Sequence, residues 1–187
     1  MSNIFESHGQ MVSALAKPGA EVVAGLTATS AHLLHMAVGI SGEVAELLEA
    51  FTPENIQEEL GDIFFYVEGI YQGVPFGREF SIPDDIRPPM LGKTEIACFD
   101  ALLASKAGKI LDLVKKHAIY QKPLDAPGLQ AALSEFERVL GGFVAHHTTL
   151  TPARLKQGNM EKLSKRYSSG SYSNTQAQTR ADKPEGE

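Results

Sequence analysis

Residues 31–72 read AHLLHMAVGISGEVAELLEAFTPENIQEELGDIFFYVEGIYQ, and this stretch decides the fold. In its first half Leu33, Ala37, Ile40, Val44, Leu47 and Phe51 recur at intervals of three or four residues. That is the period of one helical face, so a helix is expected from about Ala31 to Phe51. Thr52-Pro53-Glu54 starts a second helix, with threonine as N-cap, proline at the first position and an acid in the first turn. Ile56, Leu60, Ile63, Val67 and Ile70 carry its apolar stripe to about Gln72. The connection between the two is too short for anything but an antiparallel hairpin.

Four acids ride on this hairpin. Glu43 and Glu46 are three apart on the first helix, and Glu59 and Asp62 are three apart on the second. Three-residue spacing puts both members of a pair on one face. Both pairs flank the apolar stripes, so they are expected to face the neighbouring helix. Carboxylates crowded beside a core repel one another unless something neutralises them. A hard divalent cation does so, and all-oxygen ligation suits Mg²⁺, with Mn²⁺ able to substitute. Glutamates at helical spacing also make ordinary solvated faces. The full pattern E-x2-E-x12-E-x2-D, with Gly42 and Gly61 beside the pairs, argues for the cage. A di-iron bundle needs Glu-x-x-His pairs, and neither helix has a histidine at that offset.

The rest of the chain is helical in pattern. The segment from Gly73 to Gly92 contains Pro75, Pro83, Pro88 and Pro89 and reads as an irregular linker. A long helix is expected from about Thr94 to Tyr120, stopped by Gln121-Lys122-Pro123, and another from about Pro127 to His146. Thr151-Pro152 starts a last short helix carrying Leu155, Met160 and Leu163. After Tyr167 almost nothing is apolar, so the tail is expected to lie over the surface or to be disordered. No period-two alternation stands out, and the class is all-α, a helical bundle.

Composition narrows the partners. The chain has 187 residues, 43% hydrophobic, with a formal net charge of −6. That balance argues against nucleic acid or an anionic membrane as partner. It leaves room for a small anionic substrate, because a bound divalent metal reverses the local sign. Cys98 is the single cysteine. It lies among Ile96, Ala97 and Phe99 and reads as a core thiol, and no disulfide is possible within one chain. The N-terminus lacks the basic and apolar regions of a secretory signal, and no apolar run approaches the roughly 20 residues that span a bilayer. A cytoplasmic protein is expected. There is no G-x-x-x-x-G-K-[ST] phosphate loop, and no Ser-His-Asp or Cys-His constellation can be argued.

Gly42-Glu43-Val44-Ala45-Glu46-Leu47 followed by Glu58-Glu59-Leu60-Gly61-Asp62-Ile63-Phe64-Phe65-Tyr66 resembles the MazG-like, all-α nucleoside triphosphate pyrophosphohydrolase superfamily. Dimeric dUTPases, dCTP pyrophosphatases and phosphoribosyl-ATP pyrophosphohydrolase belong to the same group. Asn159-Met160-Glu161-Lys162-Leu163-Ser164-Lys165-Arg166-Tyr167 and Ala177-Gln178-Thr179-Arg180-Ala181-Asp182-Lys183 resemble the tail of phage-type members, which would put the chain in a host cytoplasm. The resemblance implies Mg²⁺ on Glu43, Glu46, Glu59 and Asp62. It also implies conversion of a (d)NTP to (d)NMP and pyrophosphate by water attacking the α-phosphorus, with Glu46 or Glu49 orienting that water. The phage-type likeness points to a role in the (d)NTP pool and to a purine such as (d)GTP. A non-catalytic module that binds or senses nucleotides is the alternative on the same fold.

The chain also carries an altered second copy of the hairpin. Lys106-Ala107-Gly108-Lys109-Ile110-Leu111 lies on Glu43-Val44-Ala45-Glu46-Leu47-Leu48, and Glu135-Phe136-Glu137-Arg138 lies on Glu59-Leu60-Gly61-Asp62. Lys106, Lys109 and Arg138 replace three of the four acids, so copy two cannot hold the same metals. Lys115 to Asp125, including Lys116 and Lys122, resembles the segment that family members carry between their acid pairs. The family's dimers build sites across subunits. The resemblance therefore implies two modules fused as a pseudo-dimer, over 1–74 and 93–167, joined by a linker at 75–92 and followed by a tail at 168–187. Such a chain would be a monomeric pseudo-dimer or a homodimer. Lys106, Lys109, Lys116 and Lys122 would then clamp phosphates. Tyr66 and His35 are placed near the sugar or base by the same likeness. Asn159, Lys162, Arg166 and Arg180 would contact the substrate from the C-terminal helix and tail.

Overall fold

All but one of the long described helices begin where a small polar side chain takes up a free backbone N–H group. The computed structural model describes residues 4–84 and 98–182. Two short helices come first, α1 (His8–Leu15) and α2 (Gly19–Gly25), and neither buries a residue. They escape the sequence reading because no apolar periodicity marks them. The hairpin follows as α3 (Ala28–Glu49) and α4 (Pro53–Gly73). Thr27 opens α3 with a reciprocal cap: its side chain accepts from the Ser30 N–H and its own N–H donates to the Ser30 hydroxyl. Thr52 opens α4 by accepting from the Asn55 N–H, with Pro53 in the first turn as expected.

Past the linker come α5 (Phe99–Ala118), α6 (Ala126–His147), α7 (Pro152–Arg166) and a single short turn of helix, α8 (Asn174–Thr179). Asp125, Thr151 and Ser173 cap the last three. The protein is all-α, with no strand among the described residues. Residues 85–92 of the linker, the expected helix start at Thr94 and Lys183 lie outside the described residues.

Helix α3 packs against both α4 and α5, α5 against α6, and α4 against α7. Leu33, Ile40, Leu60, Ile63, Ile110 and Phe136 belong to one continuous core that runs through both hairpins. Each such side chain contributes about 1.5–3 kcal/mol on full burial. The proline-bearing segment is irregular over 75–84, yet Ile82 is buried in the same core. Behind it Glu137, 4% exposed, accepts from the Tyr71 hydroxyl at 2.9 Å and faces the Arg78 Nε at 3.3 Å.

Three expectations are corrected. Phe51 is not part of the core stripe: α3 ends at Glu49, so Phe51 falls in the turn and is 95% exposed. Cys98 is exposed, because it precedes α5 at the cap position instead of lying within a buried helical face. Met160 points outward, 62% exposed. No single described helix is long and apolar enough to cross a membrane.

Candidate metal and nucleotide site

The hairpin brings Glu43 and Glu46 of α3 up against Glu59 of α4. Their carboxylate ligand atoms lie within 4.8 Å of one another. Burial pushes the Glu43 carboxyl up to about 8, and the neighbouring charges of Asp62, Glu46 and Glu59 push the same way. Glu59 is raised as well, first by burial, although its hydrogen bond with Glu43 pulls it down. The donor set fits a hard divalent cation, since all its ligands are oxygens and their separation suits metal–oxygen distances of about 2.0–2.6 Å.

Asp62 sits differently from the expectation of four equivalent ligands. Helix α7 crosses α4 here, and Asp62 accepts hydrogen bonds from Asn159 Nδ2 and Lys162 Nζ. Lys162 also faces Glu58 at 3.3 Å. Gly61 permits the approach: a Cβ there would lie 3.0 Å from the Asn159 Cβ and 3.3 Å from the Leu155 carbonyl oxygen. Asp62 therefore stands beside the glutamate cluster, with its charge countered by α7.

Two cavities meet over these acids. The polar one, about 330 Å³, is walled by Glu43, Glu46, Glu58, Glu59, Asp62, Arg166 and Arg180, with Ala177. The larger one, about 550 Å³, has His35, Phe65, Tyr66, Tyr167 and Tyr172 in its wall. Glu43, Asp62 and Arg166 line both. Tyr66 meets His35 edge-on, ring centres 5.9 Å apart, and Phe65 at 5.2 Å. The Tyr66 hydroxyl is raised by burial and then by Glu43 and Asp62. Gly39 makes room for that ring, since a Cβ there would overlap it.

The structure thus brings Glu43, Glu46, Glu59, Asp62, His35, Tyr66, Asn159, Arg166 and Arg180 to the two cavities. Lys162 is tied to Asp62 at their edge. The four lysines expected on the phosphates line neither cavity. Lys106 pairs with Glu135 across its own hairpin, and Lys116 pairs with Asp112 at 2.6 Å. Lys109 acts on Glu135 and Asp112, and Lys122 is exposed in the turn after α5. The charges of Lys106, Lys109 and Lys116 act within the second hairpin, and Glu49 lies outside the two cavities too. Sequence reading passed over Glu58, Phe65 and Tyr172. Glu58 had a signal, one turn before Asp62 on the same helix. Tyr172 had none, because the tail has no periodicity to place it.

Comparison with family models, with curated proteins and with solved structures finds no match to this chain.

Proposed function

We propose that this chain is a Mg²⁺-dependent nucleoside triphosphate pyrophosphohydrolase, turning a (d)NTP and water into (d)NMP and pyrophosphate. One observation carries the reading: an acid cluster with two arginines opens directly into an aromatic compartment, and Glu43, Asp62 and Arg166 belong to both. A ligand that fills both spaces has a polyanionic end and a planar end. A nucleoside triphosphate is such a molecule. Mg²⁺, when bound, supplies the charge that draws phosphate oxygens to an acidic wall and favours ionisation of a water. Glu43, Glu46 and Glu59 would hold it, with Asp62 beside them. Arg166 and Arg180 counter the remaining phosphate charge. Of the two acids considered for the attacking water, Glu46 lines the polar cavity and Glu49 does not, so Glu46, through a carboxylate oxygen not used on the ion, takes the water's proton as the water oxygen bonds to the α-phosphorus. The bond from the α-phosphorus to its bridging oxygen then breaks, and pyrophosphate leaves. His35, Tyr66, Tyr167 and Tyr172 hold the base and sugar, for which we favour a purine such as (d)GTP.

The finer architecture belongs to the same proposal. Aligned positions oppose one another in both hairpins, Glu43 with Glu59 and Lys106 with Glu135. This supports a duplicated module in which the first copy keeps the acids and the second closes its face with an internal ion pair. The place of such an enzyme is the cytoplasm, as a pseudo-dimer in one chain.

Pyrophosphate release from a panel of NTPs and dNTPs in excess Mg²⁺ tests the reading. Glu59→Ala and Asp62→Ala are each expected to abolish release while leaving the helical circular dichroism intact. Full activity in either variant would overturn the assignment. Nucleotide binding with no release by the wild type would favour a sensing module.

A further inference from the structure

Arg166 is the last residue of α7, and Asp182 lies 16 residues beyond it. The guanidinium Nε donates to Asp182 Oδ1 and Nη2 donates to Oδ2, both at 2.6 Å. The Asp182 side chain is 1% exposed and that of Arg166 17%. A guanidinium presents two forked edges, each matched to a pair of oxygens. Asp182 takes the Nε–Nη2 edge. Of the three N–H groups left over, one on Nη1 and one on Nη2 make up the second edge. Arg166 itself lines both cavities.

The pair also closes a loop of chain. Between its two ends the tail supplies Tyr167 and Tyr172 to the aromatic compartment and Arg180 to the polar one. A carboxylate so deeply buried is costly unless paired, and here its partner is a wall of the site. An arginine held in one geometry before binding loses less rotamer freedom when an anion arrives.

We infer that Asp182 is a positioning residue: it aims the second edge of Arg166 at a phosphate group of the substrate and fastens the tail over the site. This rests on the triphosphate reading above only for the identity of the anion.

The test uses the full chain and two probes. Sodium tripolyphosphate with Mg²⁺ is titrated calorimetrically, and pyrophosphate release is measured on the fastest nucleotide of the panel. Asp182→Ala is expected to weaken tripolyphosphate binding about tenfold, the loss of roughly one hydrogen-bonded contact. KM should rise similarly, with kcat within about twofold. Asp182→Asn, which keeps an acceptor but not the charge, should fall between. In an Arg166→Ala background, Asp182→Ala should add less than about twofold. Equal binding by wild type and Asp182→Ala overturns the inference, and so does an equal loss with and without Arg166. No tripolyphosphate binding by the wild type overturns it too. Absence of turnover together with the expected binding losses would sink the enzymatic reading and leave this one standing. If Asp182→Ala does not fold, Asp182→Asn is judged by the same criteria.

Discussion

Glu43 carries the sharpest consequence at the scale of one residue. Its proton is held more tightly in the folded chain than in the unfolded one, where the ordinary value is 4.5, against about 8 when folded. Such a group stabilises the fold fully below its unfolded value, and that contribution is lost as pH rises through the folded one. The metal-free protein should therefore melt at progressively lower temperature between about pH 4.5 and 8. On the proposed reading Mg²⁺ would compete with the proton, so the rise in melting temperature it gives should be larger at pH 8.5 than at pH 6. Thermal scans in chelator and in Mg²⁺ check this, and an equal shift at both pH values would refute the exchange. The acids that do this were legible in the sequence, because spacing on a helix fixes which side chains share a face. The partners of Asp62 were not. Asn159 and Lys162 are 97 and 100 residues away, and only the packing of α7 on Gly61 brings them close.

Helices α3 and α4 meet through Gly39 on one side and the Tyr66 ring on the other. Gly39→Ala puts a methyl where the ring lies. Overpacking of this kind costs about 1–3 kcal/mol. The ring lines the aromatic compartment, so the same change should weaken nucleotide binding. Denaturant melts and a nucleotide titration of the variant read the two effects, and a variant as stable and as tight-binding as the wild type would show that Tyr66 relaxes elsewhere. At this scale the sequence was a good guide wherever a cap coincided with a change of stripe, as at Thr52 and Thr151. It failed where elements are short or polar. Helix α8 has six residues and buries none of them, so only its Ser173 cap marks it, and a lone serine in a serine-rich tail is no signal.

Across the whole molecule, the two hairpins share one core. Phe136 is fully buried in it. Phe136→Ala should cost about 3–5 kcal/mol. It should lower a single unfolding transition, instead of splitting off the second hairpin. Circular dichroism and tyrosine emission followed through the same denaturant series check this, and two separated midpoints would contradict it. The all-α class and the order of the long helices followed from periodicity. The packing of α3 on α5 did not, since nothing in a stripe of apolar residues says which of several helices it will face. The aromatic compartment has a last consequence, an optical one. The chain has no tryptophan and five tyrosines. Tyr66, Tyr167 and Tyr172 all line that one space. More than half of the native ultraviolet emitters are thus gathered where the planar end of a ligand would sit, and the protein's own fluorescence is a gauge of that compartment with no label attached.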